Sequence, residues 1–508
     1  MRYEKNFQIT PPRRRRLYIP NYKFFLAALA TFVIHGWTTQ VVEIAEAFSS
    51  SHRSVPSQQH QVPTNKKKKK KTKNKTQRIL NESNGKSQLD DAVVKSESLH
   101  VKLQKSYTID AILENVTPGL TLGDRDPNLP SLTLVRLSKQ MITQSNQLQY
   151  NDEDDDSDCI VDYLDRIDDI RHIVDCLAMS DWSVSPNAVE SAVNGVKATA
   201  VISRLIFAGE PKNTSHDDTK IMLWEPLVEK FEQVSAKIVD MLQPHHLSGL
   251  AWSIDCFNLV HRIVKEESEI SLPSLIQSKY DDLDLPFRII PGAIQASTTI
   301  SQQGKRAQSR YLSVDTFIDQ VDFEVETIRT ESNQWVAERR QTAWQGDPHV
   351  GPFLYSGKAM ARRTWSVAVE YVRDELLKMS NHYYDCCLLN LYPDGGSAMR
   401  YHIDPDQGEL WDFETAVVSI GATRRFAFRS ISIDQPAVKG RKNDIDNSHA
   451  FVVMAGDITE MVRDCQLRYQ HTVKPADDKK EKSPRVSLVF KKSLRKQQVL
   501  EQQDPSQP

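Results

Sequence analysis

The sequence predicts a multidomain α + β protein, a helical region followed by a β-rich sandwich or barrel, and three observations carry that expectation. At 508 residues the chain exceeds one compact globule, since domains run to roughly 150 residues. Between about 159 and 275 the apolar positions recur at helical spacing. From Pro286 onward the apolar runs shorten to strand length and are separated by Asp, Gly, Pro and Asn clusters. Lys plus Arg total 65 against 67 Asp plus Glu, so the overall charge neither favours nor excludes a nucleic-acid partner. The six cysteines, Cys159, Cys176, Cys256, Cys386, Cys387 and Cys465, form no C-x-x-C pair and no Cys/His zinc spacing. They read as reduced thiols in a compartment that does not rely on disulfides.

The amino terminus reads as an address. Arg13 to Arg16 precede the apolar run FFLAALATFVI, and Ala45-Glu46-Ala47 offers a small-residue cleavage signature. A run of this length suits a signal-peptide core rather than a membrane span, so residues 1–47 read as signal-peptide-like. Residues 48–105 form a basic, low-complexity segment, free of Asp and Glu from Phe48 to Asn81, which is transit-peptide composition. In series, the two resemble the bipartite presequence of algal plastids. A plastid location without stable membrane association after processing is therefore expected, with the nucleus (through Lys66 to Lys71) or an endomembrane anchor as the alternative. Residues 106–158 read as a linker that ends in the acidic run NDEDDDSD, whose charge repels phosphate.

A helical domain is expected over 159–275. Ile160, Tyr163, Ile167, Ile170, Val174 and Leu177 lie on one helical stripe, as do Leu227, Phe231, Val234, Ile238 and Met241, and then Leu247, Leu250, Ile254 and Phe257. Two readings stay open. The stretch HLSGLAWSIDCFNLV resembles the second helix of organellar octotricopeptide-type repeats, which bind RNA; the other reading is a helical bundle that packs on the next domain.

In the region 283–495, DCCLLNLY, ETAVVSIGATRRFAFRS, AFVVMAGDITEMV and PRVSLVFKK each read as a strand. Within NLYPDGGSAMRYHIDPD, His402 and Asp404 are two apart and face the same way if the segment is extended. The same tripeptide pattern at His216 and Asp218 has no hydrophobic strand nearby. A third ligand is expected at His471, with His449 as its rival. Two imidazoles and one carboxylate on one face of Fe(II) leave the other positions open for a chelating cosubstrate and oxygen. On PRVSLVFKK, Arg485, Ser487, Val489 and Lys491 share one strand face, and a buried Arg and Lys call for an anion such as a dicarboxylate. Asn390 and Tyr392 share a face of LLNLY and can hydrogen-bond the same acid.

In this order, LPFRIIPGAI, RRQTAWQGDPHVGPFLYSG, NLYPDGG, the His402/Asp404 pair, SIGATRRFAFR, MAGD, His471 and PRVSLVFK resemble the AlkB family of Fe(II)/2-oxoglutarate dioxygenases. The resemblance implies a double-stranded β-helix, or jelly-roll, domain after the helical region. It implies Fe(II) on His402, Asp404 and His471, with 2-oxoglutarate on Asn390, Tyr392 and Arg485, molecular oxygen as co-reactant, and oxidative removal of alkyl groups from nucleobase nitrogens. One departure stands out: where the family usually has a second Arg, this chain has Lys491, which keeps the charge but loses the planar fork, with its effect expected on cosubstrate binding or on the hold on Asp404. Asp406 falls where the family places an acid that contacts the target base, and Trp344 falls in the stretch that resembles the nucleotide lid, where an aromatic can stack on an extruded base. Arg362, Arg363, Arg424, Arg425 and Arg429 are basic positions suited to a phosphate backbone.

The expectation is thus a monomeric nucleic-acid demethylase acting on 1-methyladenine or 3-methylcytosine in single-stranded DNA or RNA, in repair or RNA modification, with a disordered tail over 496–508. A protein hydroxylase, and an organellar RNA-binding factor with a vestigial dioxygenase domain, are the alternatives.

Overall fold

The computed structural model describes residues 99–122, 124–148, 163–208, 222–265, 269–296, 313–329, 334–355, 358–431 and 448–494. Residues 1–98, which hold most of the two segments read as targeting signals, the acidic run, Cys159, Ile160, His216, Asp218 and residues 495–508 lie outside them.

Helices fill the first half. They are α1 (Ile109–Val116), α2 (Asn128–Leu148), α3 (Ile167–Met179), α4 (Pro186–Ala208), α5 (Glu225–Ile238), α6 (Pro244–Lys265) and α7 (Ser274–Asp281). The three expected apolar stripes fall on α3, α5 and α6, and their residues from Ile167 to Leu177, Leu227 to Ile238 and Leu247 to Phe257 are buried. The stretch 106–148, read from the sequence as linker, is instead mostly helical, with α2 packed on α4. Its polar composition hides a narrow apolar seam: Leu134, Leu137 and Met141, three and four apart, are fully buried.

The second half is an antiparallel two-sheet core with helices, consistent with a jelly roll. Its strands are β1 (Phe287–Ile290), β2 (Glu324–Arg329), β3 (Trp335–Gly346), β4 (Phe353–Tyr355), β5 (Lys358–Met360), β6 (Cys386–Tyr392), β7 (Thr415–Gly421), β8 (Arg424–Ser430), β9 (His449–Val453), β10 (Ile458–Met461), β11 (Tyr469–Val473) and β12 (Arg485–Lys491). The large sheet runs β1-β10-β7-β12-β6-β3-β2 and the small one β11-β8-β9, while β4 and β5 form a separate hairpin.

Two runs that read as single strands are each cut in two, because a glycine lets the chain cross between sheets. Gly421, at φ +78°, ends β7 in the large sheet before β8 starts in the small one. A Cβ there would lie 2.7 Å from the Pro484 carbonyl oxygen, so both backbone angle and space select glycine. Gly456, at φ 86°, does the same between β9 and β10 in the opposite direction.

The helices and the sheets share one core. A single apolar cluster joins Trp182, Trp224, Phe231 and Phe257 of the helical half to Phe287, Phe428 and Phe451 of the sheets. Through this contact run buried polar ties. Arg204 of α4 donates to both carboxylate oxygens of Asp457, at 2.9 and 2.5 Å, and their side chains are 5% and 0% exposed. Asn146 of α2 bonds the Thr423 backbone and the Glu481 carboxylate, and Ser483 donates to the Asn146 carbonyl at 2.7 Å.

Candidate functional site

The metal-ligating residues come from two places. His402 and Asp404 sit on the connection between β6 and β7, and His471 lies on β11. A pair of backbone bonds clamps them together, His402 N–H to the His471 carbonyl at 3.1 Å and His471 N–H to the His402 carbonyl at 2.9 Å. One ligand atom from each of His402, Asp404 and His471 lies within 4.8 Å of the others. Both Nε2 atoms face the same oxygen, Asp404 Oδ1, at 3.5 Å from His402 and 3.7 Å from His471.

The surroundings fix each group. His402 Nδ1 meets the Arg400 carbonyl at 2.9 Å, so its Nε2 is the nitrogen that points inward. The His471 ring lies parallel to Phe426, 5.8 Å between centroids, and burial pushes its pKa down to about 3, which keeps its lone pair available at neutral pH. The Asp404 backbone N–H donates to Gln466 Oε1 at 2.9 Å. Burial works against the Asp404 charge, yet the Lys491 ammonium and the two imidazoles hold its pKa well below the usual carboxylate range. Two imidazoles and one carboxylate are a donor set that fits Fe(II).

Of the two places the sequence allows Lys491, beside the cosubstrate or on the metal carboxylate, the structure shows the second: its Nζ donates to Asp404 Oδ2 at 2.7 Å. The ammonium therefore steadies the metal carboxylate and leaves Oδ1 to face the imidazoles. Replacing Lys491 with Ala should weaken iron affinity by about 10–100-fold, the usual cost of losing a partner that orients a ligand. At saturating metal the 2-oxoglutarate affinity should change little, and Lys491→Arg should retain most of the iron affinity. Metal titration alongside cosubstrate titration checks this, and the reverse pattern would put Lys491 on the cosubstrate.

Arg485 is fully buried on β12. Its Nη2 donates to Ser419 Oγ at 2.9 Å, its Nη1 to Ser487 Oγ, and its Nε has no partner. Among the described residues its hydrogen bonds go to hydroxyls, with the Tyr392 ring centroid 5.5 Å from the guanidinium carbon; of the charges that act on it, Arg424 is a cation and Asp457 is already paired with Arg204. Burial lowers its pKa to about 10, so it stays charged at neutral pH. A buried guanidinium without a carboxylate is costly, and the distal carboxylate of 2-oxoglutarate is a fitting counter-ion.

Asn390, Tyr392 and Ser487, around Arg485, line a cavity of about 430 Å3 between the two sheets, together with the three metal-ligating residues. Sequence reasoning missed Arg340 of β3, also on this wall, whose Nη1 donates to Asn390 Oδ1 at 2.6 Å. Its signal was present in the doubled Arg339-Arg340, but nothing in the sequence distinguishes the inward arginine from the outward one.

Asp406 lies at the cavity, exposed, with φ 62°. That left-handed turn after Pro405 is closed by three backbone N–H groups, of Glu409, Leu410 and Trp411, donating to the Asp406 carbonyl. Trp344 is not available for stacking. It belongs to β3 rather than to a loop, is 1% exposed, and packs against Phe353 and Trp411 with its Nε1 bonded to the Gly351 carbonyl. It is on the cavity side of β3, opposite Leu388, but Phe353 and Leu354 of the β4–β5 hairpin form the lining there.

The rival ligand His449 faces away from this site. Its Nδ1 meets Ser248 Oγ of α6 at 2.8 Å, and burial lowers its pKa to about 4. Most of the arginines expected to attract phosphate are occupied: Arg424 is buried against Glu481, Arg363 pairs with Asp322 and Glu324, and Arg425 pairs with Asp477.

Residues 289–491 match the model of the 2OG-Fe(II) oxygenase superfamily, and this region of the chain is an AlkB-like 2-oxoglutarate oxygenase domain. Uncharacterized protein R406 of Acanthamoeba polyphaga mimivirus is 26% identical over 163 residues, covering 32% of this chain and 77% of the viral protein. The DNA oxidative demethylase ALKBH2 of Homo sapiens is 26% identical over 165 residues, covering 32% of this chain and 59% of the demethylase. The match to the Bos taurus ALKBH2 covers 55% of that protein, so the chain spans little more than half the length of these demethylases. A solved structure of OsALKBH1 aligns over 41% of this chain and 98% of its own, at 14% identity and a TM-score of 0.25.

Proposed function

We propose that this protein removes N-alkyl groups from nucleobases in single-stranded nucleic acid, using Fe(II), 2-oxoglutarate and molecular oxygen. The observation that carries the reading is one cavity lined by the convergent His402, Asp404 and His471 and by Asn390, Tyr392 and Ser487, with Arg485 bonded to Ser487 behind that wall, a buried cation that hydrogen-bonds no carboxylate among the described residues. When bound, Fe(II) with its cosubstrate supplies the oxidation of an N-methyl group to hydroxymethyl, which leaves as formaldehyde. His402, Asp404 and His471 would hold the metal, and Arg485, with Tyr392, Asn390 and Ser487, would hold the dicarboxylate. Asp406, exposed at the cavity, is placed to accept from an exocyclic amino group and to favour the positive charge of 1-methyladenine or 3-methylcytosine. Unpaired strands present such a base without the few kcal/mol of unpairing that a duplex costs. The names of the DNA demethylases among the relatives support a nucleic-acid substrate.

Formaldehyde release from methylated oligonucleotides tests the proposal. Single strands carrying 1-methyladenine or 3-methylcytosine should release formaldehyde faster than duplexes or neutral methylated bases, and Asp406→Ala should blunt that preference with metal binding intact. Turnover of 2-oxoglutarate without formaldehyde from any oligonucleotide would move the reading to protein hydroxylation.

A further inference from the structure

Glu338, Arg340 and Thr342 alternate along β3 and therefore share one face of the large sheet. Thr342 is the direct partner of Asn390 on β6, and Asn390 in turn is the partner of Ser487 on β12. Arg340, 4% exposed, thus lies one strand over from Asn390, and both residues line the metal-side cavity.

Two partners aim the guanidinium. Its Nε donates to Glu338 Oε2 at 2.9 Å and its Nη1 to Asn390 Oδ1 at 2.6 Å, with Met399 Sδ 2.7 Å from the same Nη1. The Glu338 carboxylate offsets the charge, so Arg340, unlike Arg485, already has its anion.

A guanidinium carries N–H donors and no acceptor, so the Asn390 atom that meets it has to be the amide oxygen and not the nitrogen. The contact thereby fixes which way the amide points. Among the described residues the Asn390 side chain makes no other hydrogen bond, and what it has left to offer the cavity is its pair of Nδ2–H groups. A donor suits an oxygen of 2-oxoglutarate, whereas the reversed amide would set two oxygens against each other. A cationic donor on the amide oxygen also polarises the amide and strengthens its N–H groups as donors.

We propose, on the reading of this wall as the dicarboxylate site, that Arg340 is a positioning residue for the cosubstrate: it acts through Asn390, holding that amide with its N–H groups toward the 2-oxoglutarate oxygens.

Anaerobic calorimetric titration of the Mn(II)-loaded full chain with 2-oxoglutarate tests this without turnover. Arg340→Met is expected to lose about tenfold in 2-oxoglutarate affinity, the contribution of one hydrogen bond to a charged group, while Mn(II) binding stays stoichiometric. Arg340→Lys, which restores a cationic donor, should recover most of the loss. Asn390→Ala should lose as much as Arg340→Met, and combining the two should cost nothing more, a non-additivity that a merely structural role would not produce. Arg340→Gln, whose amide ends short of Asn390, should show the same loss and serves where Arg340→Met does not fold. Unchanged affinity in these Arg340 variants, or losses that add in the double variant, would overturn the proposal and leave the cosubstrate site standing. No 2-oxoglutarate binding by the unsubstituted chain would instead overturn the reading of the wall itself.

Discussion

His471→Ala is expected to abolish iron-dependent 2-oxoglutarate turnover and to reduce bound iron below one equivalent, and His402→Ala and Asp404→Ala should do the same. The reason lies in the shared oxygen: both Nε2 atoms face Asp404 Oδ1 within 3.7 Å, so removing any member leaves two ligands where a facial triad needs three. His449→Ala is the control. His449 is bonded to Ser248 in the contact between the helices and the sheets, so its loss should lower stability while leaving the iron stoichiometry at one. Iron content after anaerobic loading, measured beside succinate formation, separates the two effects. Full activity in His471→Ala would remove His471 from the triad.

Arg204→Ala should be the most destabilising single change outside the site, by about 3–5 kcal/mol, the cost of removing one partner of a buried ion pair. Asp457 would remain buried with its charge, its remaining hydrogen bonds among the described residues coming from the backbone N–H groups of Gly292 and Met454 at 2.7 and 2.8 Å. Urea unfolding of the full chain measures this, and a change below 1 kcal/mol would mean that the contact between helices and sheets contributes little. Deleting 159–275 should have a larger effect still, because the apolar cluster shared by both halves would open to water.

The parts legible in the sequence were those whose chemistry repeats at short range. The stripes of α3, α5 and α6 announce themselves through spacing alone, and His402 and Asp404 are set by a two-residue interval that a turn and a strand bridge preserve. Long-range placement was less legible. Lys491 reads as inward and charged, but the face of a strand does not decide between the cosubstrate and Asp404, which is 87 positions away. Resemblance alone places Trp344 in the lid; the ladder between β3 and β6 instead carries the strand through Gly346 before the turn begins. In α2 the polar surface outnumbers a thin buried seam, so composition spoke for linker where packing made helix.

The three rings of Trp344, Phe353 and Trp411 couple parts of the chain that are far apart in sequence. Phe353 belongs to the hairpin over the cavity, and Trp411 closes the turn that presents Asp406, its N–H on the Asp406 carbonyl at 3.1 Å. Trp344, anchored in the large sheet, lies against both. Any occupant of the cavity that displaces Leu354 is therefore expected to press on the same aromatic contact that backs the Asp406 turn. Roof and floor of the cavity are mechanically one piece, and a bulky target that lifts the hairpin also moves the carboxylate proposed to read its base.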